Sequence, residues 1–164
     1  MTLAHRIARP DDLPHIVEIY ISTVASRMVT ADIEPVPVES RRHWFEQHNA
    51  QTRPLWVAGH NEQIEGWLSL SDFYGRPAYW RTAEVSVYVR AASRRSGVAS
   101  YLMSHALAQA PGLQIDTLIG FIFGHNEPSL ALFERFGFSR WGELPRVTIL
   151  DGVERDVVIV GLRV

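Results

Sequence analysis

Thr82-Ala83-Glu84-Val85-Ser86-Val87-Tyr88-Val89, with Arg94-Arg95-Ser96-Gly97-Val98-Ala99 four residues further on, decides how this chain folds. In the first segment polar and apolar residues alternate strictly. Period-two geometry therefore predicts a strand with Thr82, Glu84, Ser86 and Tyr88 on one face and Ala83, Val85, Val87 and Val89 on the other. Beyond the turn, Val98, Leu102, Ala106 and Ala110 repeat at i, i+4, the stripe of a helix that Pro111-Gly112 ends. A strand that runs through a glycine-containing turn into a helix start is suited to holding phosphate. Free N–H groups of the first helical turn point outward there, and the helix dipole adds about half a positive charge. Gly97 lets the backbone come close to a ligand, and Ala99 keeps the helix start thin. No Lys-Ser/Thr pair follows the glycine, and the G-x-G-x-x-G spacing is missing, so neither an NTPase loop nor a dinucleotide fold is indicated. Alone, the turn argues for a bound phosphate or for an ordinary strand–helix connection.

On the N-terminal side, Ala4-Ala8 reads as a strand and Pro10-Asp11-Asp12 as a helix start. Asp11 is the expected cap, and Leu13, Ile16, Val17 and Tyr20 follow at helical spacing. Thr23 to Val38 is irregular; Met28, Glu34-Pro35 and Pro37 suggest a loop or short helix near a ligand. Glu39-His48 reads as a second helix. Leu55-Ala58 and Ile64-Ser71 form a hairpin around Gly59-His60-Asn61-Glu62. Phe73-Tyr79 carries Gly75 and Pro77 and reads as loop. On the C-terminal side, Ile115-Phe123 is apolar enough for a strand buried on both faces. Asn126 caps a helix that runs to about Phe136 and stops at Gly137, and Phe138-Leu144 and Asp156-Leu162 are the last strands. The order is mixed α/β.

The chain has 164 residues, 46% hydrophobic and 21% charged, enough for one domain with its own core. A formal net charge of -2 gives no electrostatic reason to expect nucleic acid or an anionic membrane as partner. With no cysteine, disulfide scaffolds, thiolate metal sites and a cysteine nucleophile are excluded. The seven histidines are scattered, and His43 with His48 lack the i, i+4 spacing of a helical metal pair, so no metal is expected. Met1-Arg6 lacks the apolar run of a secretory signal and no stretch could span a bilayer, so the expectation is a cytoplasmic protein. The five tryptophans are expected in core or dimer packing, with Trp80 the one candidate for a substrate wall.

The strand from Thr82, the R-x-x-G-x-A turn from Arg94, Asn126-x-x-Ser129 and Phe136-Gly137-Phe138 together resemble the GNAT superfamily of acyl-CoA N-acyltransferases. Within it the phosphinothricin and methionine sulfoximine acetyltransferase group is the best match. The likeness spans nearly the whole chain, and its most specific block is Arg76-x-Ala78-Tyr79-x-x-Thr82-x-Glu84-x-Ser86-Val87-Tyr88-Val89. The resemblance implies one domain over residues 1–164, with a mixed central sheet of six to seven strands and helices on both faces. It implies acetyl-CoA as co-substrate, a small amino-acid-like amine as acceptor, and a homodimer. The strand would splay from its neighbour so that the pantetheine arm pairs with Val87, Tyr88 and Val89. The pyrophosphate would sit on the backbone of Arg95, Ser96, Gly97, Val98, Ala99 and Ser100, and Asn126 would contact the cofactor. The side chains of Arg94 and Arg95 either reach phosphate or form a solvated pair. Tyr74, Arg76 and Tyr79 stand near the expected acceptor site, where Arg76 is either a carboxylate anchor or a surface charge.

An alkyl ammonium must lose a proton before it attacks a thioester, and Glu84 is the candidate base. The alternative is a structural glutamate bridging to an arginine or to backbone. With no cysteine the expected route is direct attack in a ternary complex, the oxyanion met by the Val87 N–H. Two departures from the family stand out. Phe133 occupies the position of the histidine or tyrosine acid, leaving Tyr88, Tyr101 or no side chain to serve the leaving thiolate. Leu150 and Glu154 replace a basic and an aromatic residue near the C-terminus. Acetylation of protein N-termini or lysines, and a non-catalytic acyl-CoA-binding sensor, are the alternative functions.

Overall fold

The computed structural model describes residues 2–24, 32, 34 and 36–164. Met28 and Pro35, in the segment read as loop or short helix, lie outside them. Seven strands form one sheet: β1 (Ala4–Ile7), β2 (Leu55–His60), β3 (Gln63–Asp72), β4 (Thr82–Val89), β5 (Thr117–Phe123), β6 (Ser139–Leu150) and β7 (Val153–Arg163). Among the described residues four α-helices accompany it: α1 (Leu13–Val24), α2 (Arg42–Glu46), α3 (Val98–Gln109) and α4 (Glu127–Arg135). The spatial order is β1-β2-β3-β4-β5-β7-β6. Among the described strands only β4 and β5 run parallel, joined by the crossover helix that such a pair needs.

The predicted alternation separates two cores. Ala83 and Val85 of β4 join Leu68 and Leu70 of β3 under the α3 stripe of Val98, Leu102, Ala106 and Ala110, all buried. Each buried Val or Leu among them contributes about 1.5–3 kcal/mol. On the opposite face Ile16, Ile19 and Tyr20 of α1 cover Leu55, Val57 and Trp67. Trp67 also donates its ring N–H to the Ile16 carbonyl at 3.1 Å, which fixes α1 against β3.

Local chemistry accounts for the boundaries that differ from expectation. Asp12, not Asp11, organises the first helix start: its carboxylate accepts from the Arg9 backbone N–H at 2.7 Å and from Arg6 at 2.6 and 2.9 Å. The second helix divides into a 3₁₀ turn, Val38–Arg41, and the short α2, so His48 lies beyond its end. The β2–β3 turn narrows to Asn61 and Glu62, both at positive φ, as a two-residue hairpin turn demands. Asn126 caps α4 as expected, accepting from the Ser129 N–H at 3.2 Å. The β6–β7 hairpin is longer at its turn than the sequence suggested, and Leu150 is buried there beside an exposed Glu154.

Candidate active site

The parallel pairing of β4 with β5 stops early. Thr82, Ala83 and Glu84 pair with Thr117, Leu118 and Ile119, and no pair follows, whereas β3 stays paired with β4 as far as Val89. The direction of the backbone groups follows from two bonds. Arg90 donates to the Glu65 carbonyl at 2.7 Å, so even-numbered residues of β4 exchange bonds with β3. Arg81 accepts from Asp116 at 2.9 Å, so odd-numbered residues face β5. Val85, Val87 and Val89 therefore turn their backbone groups toward the edge that β5 has left. Tyr88, between them, directs its backbone at Trp67.

At the end of this edge the chain turns into α3. Arg95 and Gly97 both have positive φ, at 63° and 87°, and Gly97 is the residue before the first helical turn. A Cβ on Gly97 would meet nothing within 4 Å, so the backbone is open to a ligand there. The turn is held from beneath: Ser93 donates to Glu65 at 2.8 Å, and Ser96 donates to the Ser93 carbonyl. The exposed Arg94 and Arg95 side chains have no hydrogen-bond or ion-pair partner among the described residues. Asn126 is buried, and its side chain is engaged with Ser129.

The polar face of β4 forms the floor of a cavity of about 650 Å³. Three cross-strand pairs tile that floor: Ser71 opposite Glu84, Ser69 opposite Ser86, and Trp67 opposite Tyr88. The Trp67 and Tyr88 rings stack at 4.6 Å, and Tyr20 meets Tyr88 edge-on at 5.4 Å. Arg41, Trp44 and His48 form the wall above. Glu84 is half-buried with no hydrogen bond or ion pair among the described residues, and burial raises its pKa above the usual carboxylate range. Burial also raises the Tyr88 phenol, which keeps its proton.

Two arginines in this cavity differ in what they have left to offer. Arg53, buried, donates to Asp72 at 2.8 Å, to the Thr52 carbonyl at 2.8 Å and to the Trp80 carbonyl at 2.6 Å, and so braces the two ends of the β3–β4 connection. Arg41 lies 4.3 Å from the Tyr20 ring centroid and reaches Asp32 through one nitrogen at 3.4 Å. Its other nitrogens bond to no described residue.

Tyr74, Arg76 and Tyr79 stand outside this cavity. Tyr74 is 67% and Tyr79 41% exposed, in an aromatic cluster with Phe73 and Phe121, and Arg76 is exposed. Gly75, in the same loop, does line the cavity. Trp80 lines a smaller hollow beside Arg53 and Gln114. Phe133 is buried between Gly120 and Phe138. Of the two tyrosines named in its place, Tyr88 lines the cavity, and Tyr101 instead bonds His5 at 2.8 Å. Among the described residues no three His, Asp or Glu side chains converge as a metal site, and no helix is long and apolar enough to cross a membrane.

A strand that parts from its parallel neighbour, runs into a glycine turn at a helix start and carries a lone carboxylate over a cavity is a distinctive combination. The sequence model of the acetyltransferase (GNAT) family matches residues 17–138. The chain belongs to that family. YwnH of Bacillus subtilis, provisionally named a phosphinothricin acetyltransferase, is 52% identical over 98% of this chain and 98% of its own length. An L-methionine sulfoximine/L-methionine sulfone acetyltransferase of Pseudomonas aeruginosa is 29% identical over 90% of this chain and 86% of its own. Among solved structures, a GNAT superfamily phosphinothricin acetyltransferase of Sinorhizobium meliloti in complex with acetyl-CoA superposes with a TM-score of 0.93 at 25% identity, covering 100% of this chain and 89% of that one. The seven-stranded GNAT fold and acetyltransferase membership are thereby established.

His48 and Arg41, which the sequence did not mark, belong to the cavity. Their contacts with the cavity reach across the sequence, His48 meeting Ser71 across 23 positions and Arg41 covering the Tyr20 ring of α1, so no local pattern exposes them. The alternation of Leu68 and Leu70 with Trp67, Ser69 and Ser71 was the available clue, since it assigns both serines to the face of Glu84.

Proposed function

We propose that this GNAT protein transfers the acetyl group of acetyl-CoA to the amine of a free amino acid or close analogue, directly and within a ternary complex. The observation that carries the reading is Glu84, a carboxylate without a partner, facing the cavity beside the open edge of β4. Pantetheine would pair with the outward backbone of Val87 and Val89, with Tyr88 contributing its ring. The pyrophosphate would rest on Arg95 to Ser100, where Gly97 lets it meet the helix N-terminus. This alignment directs the thioester carbonyl at the Val87 N–H as its oxyanion donor. Glu84, with its raised pKa, takes a proton from the ammonium, directly or through water, and the freed amine attacks. Positioning the two reactants supplies much of the acceleration.

The acceptor class follows from the charges. Glu84 meets the ammonium, and Arg41, which spends fewer of its N–H donors on the protein than Arg53 does, is suited to a carboxylate. Tyr74, Arg76 and Tyr79 would meet the acceptor near the mouth, beside Gly75. The names of the Pseudomonas and Sinorhizobium relatives support an amino-acid-like acceptor. We assign the reaction to the cytoplasm, where acetyl-CoA is available. We also propose a homodimer that covers the exposed Trp141, Leu144, Val147 and Ile149 of β6.

Bisubstrate kinetics over a panel of amino acids test this reading. Intersecting initial-rate lines are expected, and parallel lines, the ping-pong pattern, would overturn direct transfer. The buried Phe133, which removes one acid from the family's usual position, favours a second reading, an acyl-CoA-binding sensor. Acetyl-CoA binding without thiol release on any amine would select it.

A further inference from the structure

His48 lies just past α2 with its ring edge-on to Trp44 at 4.8 Å. Its Nδ1 is 2.9 Å from the Trp44 carbonyl oxygen and its Nε2 is 3.2 Å from the Ser71 hydroxyl. A carbonyl can only accept, so Nδ1 carries the hydrogen. In the neutral imidazole Nε2 is then an acceptor, and Ser71 must donate to it. Burial lowers the pKa of His48 and so favours this neutral form, with the backbone carbonyls of Trp44 and Phe45 and, less strongly, the charge of Asp72 opposing. The hydroxyl hydrogen of Ser71 is therefore spent on His48, and its oxygen is left as an acceptor. That oxygen belongs to the residue directly opposite Glu84.

We propose that Ser71 and His48 form a second proton acceptor in this cavity, working beside Glu84. The proposal rests on the acetyl-transfer reading above. Attack by a neutral amine leaves a tetrahedral intermediate with a positively charged nitrogen, which must still lose one proton. Glu84 already holds the proton taken from the ammonium. The second passes from nitrogen to the Ser71 oxygen as the Ser71 hydrogen passes to Nε2 of His48. The C–N bond is kept, the C–S bond then breaks, and the electron pair leaves with the CoA sulfur. The imidazolium retains its Nδ1–H bond to the Trp44 carbonyl. One of the two stored protons then returns to the thiolate and the other goes to solvent. His48 acts through Ser71, and Ser71 is the group that touches substrate. The groups facing the imidazole are the Trp44 carbonyl and ring and the Phe45 carbonyl from α2, Ser71 and Asp72 from β3, and Glu84 beyond Ser71 from β4. Arg53 holds Asp72 at 2.8 Å.

Two measurements on the full chain test the relay. Long-range ¹⁵N–¹H correlation of the histidine side chains should show His48 in the Nδ1–H tautomer near neutral pH, with its Nε2 resonance displaced in Ser71→Ala. An Nε2–H tautomer overturns the proposal. With acetyl-CoA and the fastest acceptor among the common amino acids and L-methionine sulfone, Ser71→Ala and His48→Gln should each lower kcat about a hundredfold. KM should change less than about twofold, one ionisation should vanish from the acid limb of the pH profile, and Ser71→Thr should restore both. Wild-type kcat and an unchanged profile in both variants overturn the relay while leaving the acetyl-transfer reading intact. No turnover on any amine removes that reading and the relay with it.

Discussion

The ring of Phe133 lies over Gly120, so close that a Cβ at position 120 would come within 2.8 Å of its Cε1. The helix α4 thus delivers at this position a core side chain packed edge-on to Phe138 at 4.8 Å, on the face of the sheet opposite the cavity. Restoring a hydroxyl there should not restore an acid. Phe133→Tyr is expected to leave kcat unchanged and to lower stability by about 1–3 kcal/mol, through overpacking and a buried unpaired hydroxyl. Gly120→Ala should cost a similar amount, because the ring and Val160 both stand in the way. Urea unfolding with steady-state kinetics on the same samples checks both; a large gain in kcat for Phe133→Tyr would return the position to the catalytic machinery.

Glu84 connects pH to stability and rate in opposite directions. Its folded pKa is raised by burial, so it stabilises the fold while protonated, and this contribution fades as pH rises through the folded value. Turnover needs the carboxylate and grows over that same window. Glu84→Gln should therefore melt higher than wild type at pH 8, match it near pH 4, and lose at least about a hundredfold in kcat. Melting curves at the two pH values, paired with thiol release, decide it. A variant less stable than wild type at pH 8 would point instead to a structural bridge made by Glu84.

What the sequence disclosed and what it withheld separate along sequence distance. The strand from Thr82, the glycine turn before α3 and the Asn126 cap are local patterns, each written within about ten residues. The splay of β4 from β5 is not local and came only through resemblance; the register ending at Glu84–Ile119 displays it directly. The cavity wall was illegible for the same reason. Arg41 and His48 reach Glu84's face only because α1 and α2 fold over β3, and nothing in residues 39–48 announces that. The misassigned Asp11 cap has a similar cause. Arg6, a residue of β1, draws Asp12 into a paired bond that a helix-start rule does not anticipate.

Arg41 and Arg76 make competing predictions about where an acceptor carboxylate is held. A charge-assisted pair with Arg41 inside the cavity contributes about 1.5–3 kcal/mol, or roughly ten- to a hundredfold in KM. Arg41→Gln should show that loss for L-methionine sulfone and little change for its decarboxylated analogue, 3-(methylsulfonyl)propylamine. Arg76→Ala, at an exposed position near the mouth, is expected to shift KM by no more than a few-fold. The reverse pattern would relocate the anchor to the outer loop.

Gly97 separates backbone strain from ligand access. At φ 87° an alanine is strained by about 1–2 kcal/mol, yet its methyl would meet nothing within 4 Å of the protein. The stability lost in Gly97→Ala should accordingly stay within that range. Its methyl would occupy the open space where the proposed pyrophosphate approaches, so the KM for acetyl-CoA should rise about tenfold or more while the acceptor KM holds. Gly112 is the control: it too has open space around it, lacks a positive φ, and lies at the far end of α3. Gly112→Ala should leave both constants unchanged and stability equal or slightly higher, since it restricts only the unfolded chain. Calorimetric titration with CoA compares the two variants without turnover. Equal CoA affinity in Gly97→Ala and Gly112→Ala would move the pyrophosphate away from the start of α3.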